Sequence, residues 1–171
     1  MLNLKIGLSE ALVISTTSGE IALKDIVASG QSSASSVSGN VELEKMNVNG
    51  DLNLGTTSRK TDISSTQIAR NMSVKSISGD EKTVKTSVKG NVIFKNTSGD
   101  VEFKDLSGND ISISTISGKV SGNILGDSKD YTIKATTVSV DKNLPLSTNG
   151  NKLLNVSTTS GDIDIYFTPA I

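Results

Sequence analysis

The amino-acid sequence predicts an all-β fold, a single-stranded, right-handed β-solenoid of about seven coils of ~20 residues, with two main strands per coil. Three observations predict it. Glycines recur at multiples of 20 residues, at Gly19, Gly39, Gly79 and Gly99. Apolar and polar residues alternate between them, which is the period of a strand. No window carries the i, i+3, i+4, i+7 apolar pattern of an amphipathic helix. Strands this short bury little alone, so stacking each unit on the one before is what gives them a shared core.

The units follow in order. Those starting at Thr17, Val37, Thr57 and Ile77 need no gaps, the one at Thr97 is a residue short, and the one at Ile116 is again 20 residues long. Gly118 and Gly161 continue the first glycine set, while Gly30, Gly50 and Gly90 form a second set offset by 11, so each unit has two turns. Glycine is expected there because a reversal within two or three residues calls for positive φ. Arg59 and Arg70 fill two glycine slots, which predicts corners that are wider or αR-like. The stretch from Thr136 to Ser157 is two residues longer than the repeat, and a partial unit starts at Thr158. One domain over 1–171 is expected, regular over 17–135 and looser over 136–171, with Tyr166, Phe167 and Pro169 capping the last coil.

Superposing the units gives six core columns. Ile21, Val41, Val101 and Val120 form the first, and Leu23, Leu43, Ile63 and Phe103 the second. Ile26, Met46 and Leu106 form the third, and Ala28, Val48, Ile68 and Val88 the fourth. Leu52, Met72 and Val92 form the fifth, and Ala34, Leu54, Val74 and Phe94 the sixth. Thr61, Thr66, Thr83 and Thr86 interrupt these columns, which makes the third and fourth units the weakest. Glu81 also falls in an apolar slot, and because a buried carboxylate is costly it is expected to turn outward through a bulge.

Composition narrows the chemistry. Leu, Ile, Val and Phe supply 47 of 171 residues, enough to fold, while Ser and Thr supply 44 and aromatics only 3%. The absence of Cys and His removes disulfides, thiol nucleophiles, His-based triads and N/S metal sites. A net charge of −1 gives no nucleic-acid footprint. No 18-residue apolar run suggests a membrane segment, and a signal or anchor is expected to lie outside this stretch, as in an excised domain.

The remaining candidates read as structure. Asp162 and Asp164 share a strand face but flank Ile163 and Ile165 as solvated residues do. Carboxylates also come close in the column Glu20, Asn40, Asp80, Asp100 and in the pair Asp127 and Asp130, while the Ser-Gly-Asp triplets at Ser78 to Asp80, Ser98 to Asp100 and Ser160 to Asp162 supply one carboxylate each, too few for a calcium shell. The column of Thr16, Thr56, Ser76, Asn96 and Thr115 is read as outward, and Lys75, Lys95 and Lys134 beside it break any flat threonine array. Lys24, Lys45, Lys85, Lys104 and Lys142 scatter outward and form no basic stripe. Asn71, Asn96 and Asn155 stand in N-x-Ser contexts. No catalytic, cofactor or metal residue is assigned and no cofactor is expected.

The recurring Thr/Val-Ser-Gly-Asp/Asn-Val/Ile-x-Leu/Phe motif, seen as TTSGEIAL, SVSGNVEL, NTSGDVEF and TTSGDIDI, resembles the bacterial adhesin-type family of β-strand-repeat domains called toastrack domains, over Thr16 to Phe167. Arg59 and the shortened fifth unit depart from its pattern. The resemblance implies a β-solenoid in envelope-associated or secreted bacterial proteins, with adhesion or envelope-stress adaptor roles, and it carries no catalytic motif. The expected function is a non-enzymatic structural or interaction module of the cell envelope or surface, with a protein or surface glycan as partner. End-to-end homo-oligomers could form through exposed first and last coils. The alternatives are a carbohydrate-binding or polysaccharide-active solenoid and an intracellular, cytoplasmic stress adaptor.

Overall fold

The structure is a computed structural model that describes residues 2–4, 7–138 and 141–169. Its strands all pair in parallel and form a 13-stranded and an eight-stranded sheet. The second unit shows how one coil is built: Val41–Glu44 and Asn47–Val48 join the larger sheet, and Leu52–Thr56 joins the smaller. Neighbouring coils stack in register at the repeat, so that Val41 pairs with Ile21 and Thr61, and Leu52 with Ser32 and Met72.

The inward residues of the two sheets meet in one core. Ile21, Leu23, Val41, Leu43, Met46 and Val48 are all at most 2% exposed, and the later positions Leu52, Leu54, Ile63, Ile68, Val74 and Val88 at most 4%. Val92, Phe94, Val101, Phe103 and Leu106 are likewise buried. The smaller sheet has eight rungs, because Leu12–Thr16 pairs with Ser32–Ser36 as a rung of its own. The molecule therefore has about one coil more than the count of seven.

The coils of Ile21, Val41 and Thr61 have three strand segments and a third corner where two strands and two turns were expected, and in the coils of Glu81 and Val101 a single strand runs through that corner. Between Ile21–Lys24 and Val27–Ala28 stands Asp25 at φ 54°, and Lys45, Ser65, Lys85 and Asp105 occupy the same left-handed conformation in the following coils. One αL residue breaks the alternation of the strand. Residues 21 and 23 face inward before it and 26 and 28 after it, so the chain bends while the apolar face stays on the core. The backbone bonding changes sense with it: the Lys45 N–H donates forward to the Ser64 carbonyl, and the Asn47 N–H donates back to the Ile26 carbonyl.

The stack departs from chain order at its C-terminal end. In the smaller sheet Lys152–Ser157 lies between Ile111–Ser114 and Tyr131–Thr136, so the columns read Ile111, Leu154, Ile133. In the larger sheet Ile163–Thr168 lies between Val120–Leu125 and Lys142–Asn143. A 3-10 turn at Ser128–Asp130 leads into the outer rung. The cap over this end is therefore formed by residues 126–138 and 141–151, and the expected cap residues Tyr166 and Phe167 belong to the coil beneath it. Tyr166 is 55% exposed, and the Phe167 ring lies 5.4 Å from that of Tyr131.

Candidate binding face

The corner leaving the smaller sheet is built on the column Thr16, Ser36, Thr56, Ser76, Asn96 and Thr115, which faces inward. From Ser36 onward these residues are at most 7% exposed, against the expectation of an outward column. The corner's own backbone explains why. The Ser36 hydroxyl accepts from the Gly39 N–H at 2.8 Å and donates to the Gly19 carbonyl at 3.2 Å. Ser76 accepts from the Gly79 N–H, and the Asn96 amide donates to the Gly79 carbonyl. A buried corner needs such partners for its peptide groups.

Most of the corner glycines are required by close stacking instead of positive φ, which among the predicted set only Gly99 has. A Cβ on Gly39 would lie 1.9 Å from the Gly19 carbonyl oxygen, and one on Gly79 would lie 1.8 Å from that of Arg59. Gly118 and Gly161 repeat the contact at 2.0 Å, Gly30 meets the Glu10 carbonyl, and Gly50 and Gly90 abut the preceding coil's backbone. At Arg59 the slot is filled, and Thr56 below it bonds Ser76 and Thr61.

Outside this column the smaller sheet presents a shallow groove of about 620 Å³ running across four coils. Ser15, Ser35, Gly55 and Lys75 line it from the sheet, and Val37 and Ile77 from the corner. Charge is segregated between the sheets. None of the eight strands of the smaller sheet contains Asp or Glu. The larger sheet holds Glu42, Glu44, Asp62, Glu81, Glu102, Asp105 and Asp164. Among the described residues the ion pairs lie on the larger sheet's side, Lys24 to Glu44 at 2.8 Å and Lys82 to Glu102 at 3.2 Å being the closest. Lys75 and Lys95 instead stack directly on one another in the acid-free sheet. The two sheets alternate along the chain, so the lysines read as scattered until each is assigned to its sheet.

The other acidic candidates are tied into the stack. An Asp80 carboxylate oxygen accepts the Asp100 N–H, and one from Asp100 accepts the Lys119 N–H. Asp51, Asn71 and Asn91 form a similar ladder, and Asp110 accepts from the Leu153 N–H. Asp164 accepts from the Asn143 amide, and Asp127 caps the short 3-10 turn. No group of three or more metal-ligating His, Cys, Asp or Glu side chains occurs among the described residues.

Glu81 is buried at 1% exposure, contrary to the expected outward turn. The ladder runs through it without a bulge, from Thr61 to Glu81 to Val101, so strand parity points it inward. Neither carboxyl oxygen has a hydrogen-bond partner, nor does the Thr83 hydroxyl, and burial pushes the Glu81 pKa up to about 9. Tyr131, outside the six predicted columns, is a core residue whose hydroxyl donates to the Gly108 carbonyl at 2.7 Å. Burial, with Asp130 and Asp110 nearby, raises its pKa to about 12. Its signal was the alternation of Tyr131, Ile133 and Ala135.

No curated protein and no solved structure matches the chain. Residues 5–169 match the family described as Toastrack DUF4097. With the repeat motif stacked into a parallel β-solenoid, and the match running nearly end to end, the chain belongs to the Toastrack family.

Proposed function

We propose that this solenoid is a non-catalytic structural or interaction module of the bacterial cell envelope, presenting the outer face of its smaller sheet to a partner. The observation that carries this reading is where the polar side chains go. Asp51, Asn71, Asp80, Asp100 and Asp110 all bond the N–H of the next coil, which makes them elements of the scaffold. An adhesin role follows as the finer form of the same reading, with the rigid stack holding the face away from its point of attachment.

The test is a hydrolysis assay of the purified chain against soluble acidic and neutral polysaccharides, followed by size analysis of the products. Unchanged chain length is expected. Depolymerisation that disappears in Asp162→Asn would overturn the reading. Fractionation of cells expressing the natural full-length protein tests the location, with recovery in the envelope or medium expected and recovery in the cytosol alone contradicting it.

A further inference from the structure

The eight-stranded sheet stacks one lysine directly on another with no carboxylate on any of its strands. Lys75 and Lys95 are direct ladder partners, roughly 4.8 Å apart at the backbone, and like charges placed directly opposite are unfavourable. On the larger sheet lysines stack on carboxylates, Lys24 over Glu44 and Lys82 over Glu102, and its like-charged ladder pair, Glu42 and Asp62, has Lys82 as the next partner of Asp62. No strand of the smaller sheet supplies such a carboxylate to Lys75 and Lys95. The matching positions in neighbouring coils are Ser35, Gly55 and Ser114, so small neutral residues fit the column. Lys75 lines one end of the hydroxyl-lined groove, whose axis runs across the strands, and Lys95 continues its column one coil beyond.

We propose that this face docks an acidic polysaccharide, a chain of uronate-type sugars lying along the solenoid axis with its carboxylates at Lys75 and Lys95 and its hydroxyls against Ser15, Ser35 and Thr57. The proposal rests on the reading of the chain as a non-catalytic interaction module. Three features select this occupant over other polyanions. The backbone N–H groups of the sheet are already engaged between coils, so an acidic peptide gains no strand pairing on the face. The outward positions Ser33, Asn53, Ser73, Ile93 and Ser112 offer no aromatic ring for nucleobase stacking. The coil repeat of about 4.8 Å presents a side chain at intervals near the length of one sugar unit, and hydroxyl donors and acceptors are what a sugar chain needs.

The experiment is calorimetric titration of the full chain with oligogalacturonate, with maltooligosaccharide of equal length, polyphosphate and poly-glutamate as comparisons. Oligogalacturonate is expected to bind at least tenfold more tightly than the other three. Lys75→Ser/Lys95→Ser should lose at least tenfold in affinity while melting at the same or a higher temperature, since the repulsion is relieved. Lys24→Ser/Lys82→Ser on the other sheet should stay within twofold. Absence of oligogalacturonate binding, equal binding by the Lys75/Lys95 variant, a fall in that variant's melting temperature, or tighter binding of polyphosphate or poly-glutamate would each overturn the proposal. The oligogalacturonate is sized before and after: shortening sinks the non-catalytic reading, whereas an intact but unbound oligomer sinks only the docking assignment.

Discussion

Glu81 makes stability fall as pH rises through neutrality. Unfolded, its carboxyl titrates near 4.5; folded, near 9. Between those values the native state keeps a proton that the unfolded chain has released, so unfolding gives up a proton and is favoured by rising pH. The loss is about 1.4 kcal/mol per pH unit, hence roughly 3 kcal/mol between pH 4.5 and 7 by the same linkage. It is absent below about pH 4.5 and levels off above about pH 9. Urea denaturation at pH 5 and pH 7.5 should show this slope in the parent and a much flatter one in Glu81→Gln. Glu42, whose pKa burial and the nearby Glu20 and Asp62 also raise, is common to both proteins and cancels in the comparison. Equal slopes would mean that the carboxyl is not held neutral in the core. The column partners are ordinary by contrast: Leu43→Ala should cost about 2–5 kcal/mol, and the outward Glu42→Ala should fall within about 0.5 kcal/mol. Chemical denaturation of both variants checks the register. The columns were legible because a period of two inside a period of twenty leaves one inward set. At Glu81 polarity and parity point opposite ways in the sequence, and the unbroken ladder settles it by parity.

At the scale of the corner, what looked like turn chemistry is stacking chemistry. Apart from Gly99, Gly122 and Gly126, positive φ belongs to the corner of Asp25, Lys45, Ser65, Lys85 and Asp105, while most of the predicted glycines lie where one coil's carbonyl presses on the next. The αL corner carried no residue-type signal, but it did leave a spacing signal. Within the larger sheet inward residues step by two on either side of a step of three, as from Leu23 to Ile26 and from Leu43 to Met46, and a step of three within a strand pattern marks the change of parity. The glycine explanation makes a graded prediction. Gly79→Ala places a methyl group against the Arg59 carbonyl and should cost about 3 kcal/mol, as overpacking against backbone does. Gly19→Ala meets only the Thr16 hydroxyl at 3.0 Å and should change stability by no more than about 1 kcal/mol. Both substitutions would cost alike if glycine were there for turn conformation, so paired melting curves decide between the explanations. The charge-segregated face was hidden for a related reason. Lys75 and Lys82 are near neighbours in the chain, and only the assignment of one to each sheet separates the bare lysine pair from the ion-paired ones.

Over the whole molecule, the feature least legible in the sequence is the order of the last coils. Ile111, Leu154 and Ile133 are equivalent in the repeat, so pattern alone permits either order, and the two extra residues between Thr136 and Ser157 were the only sign of a longer path. Intercalation has a physical consequence at the end of the stack. The final rung of the smaller sheet becomes Tyr131–Thr136, anchored by the buried Tyr131, and it is followed by the very short strand Lys142–Asn143 and a loop containing Pro145. A short strand, lysine and proline all discourage further pairing at an exposed edge, so this end is poorly suited to stacking on another copy. The order itself can be tested by two truncations. In the intercalated stack Leu154 is fully buried between Ile111 and Ile133, whereas Ile133 lies on the outer rung and is only partly buried. Leu154→Ala should therefore cost about 2–5 kcal/mol, and Ile133→Ala about 1 kcal/mol, because a partly buried site both loses less apolar contact and collapses more easily. Stacking in chain order would reverse the ranking, with Ile133 enclosed and Leu154 outermost. Urea midpoints of the two variants, measured with unchanged m-values so that both report loss of the same folded state, separate the two topologies by the sign of their difference.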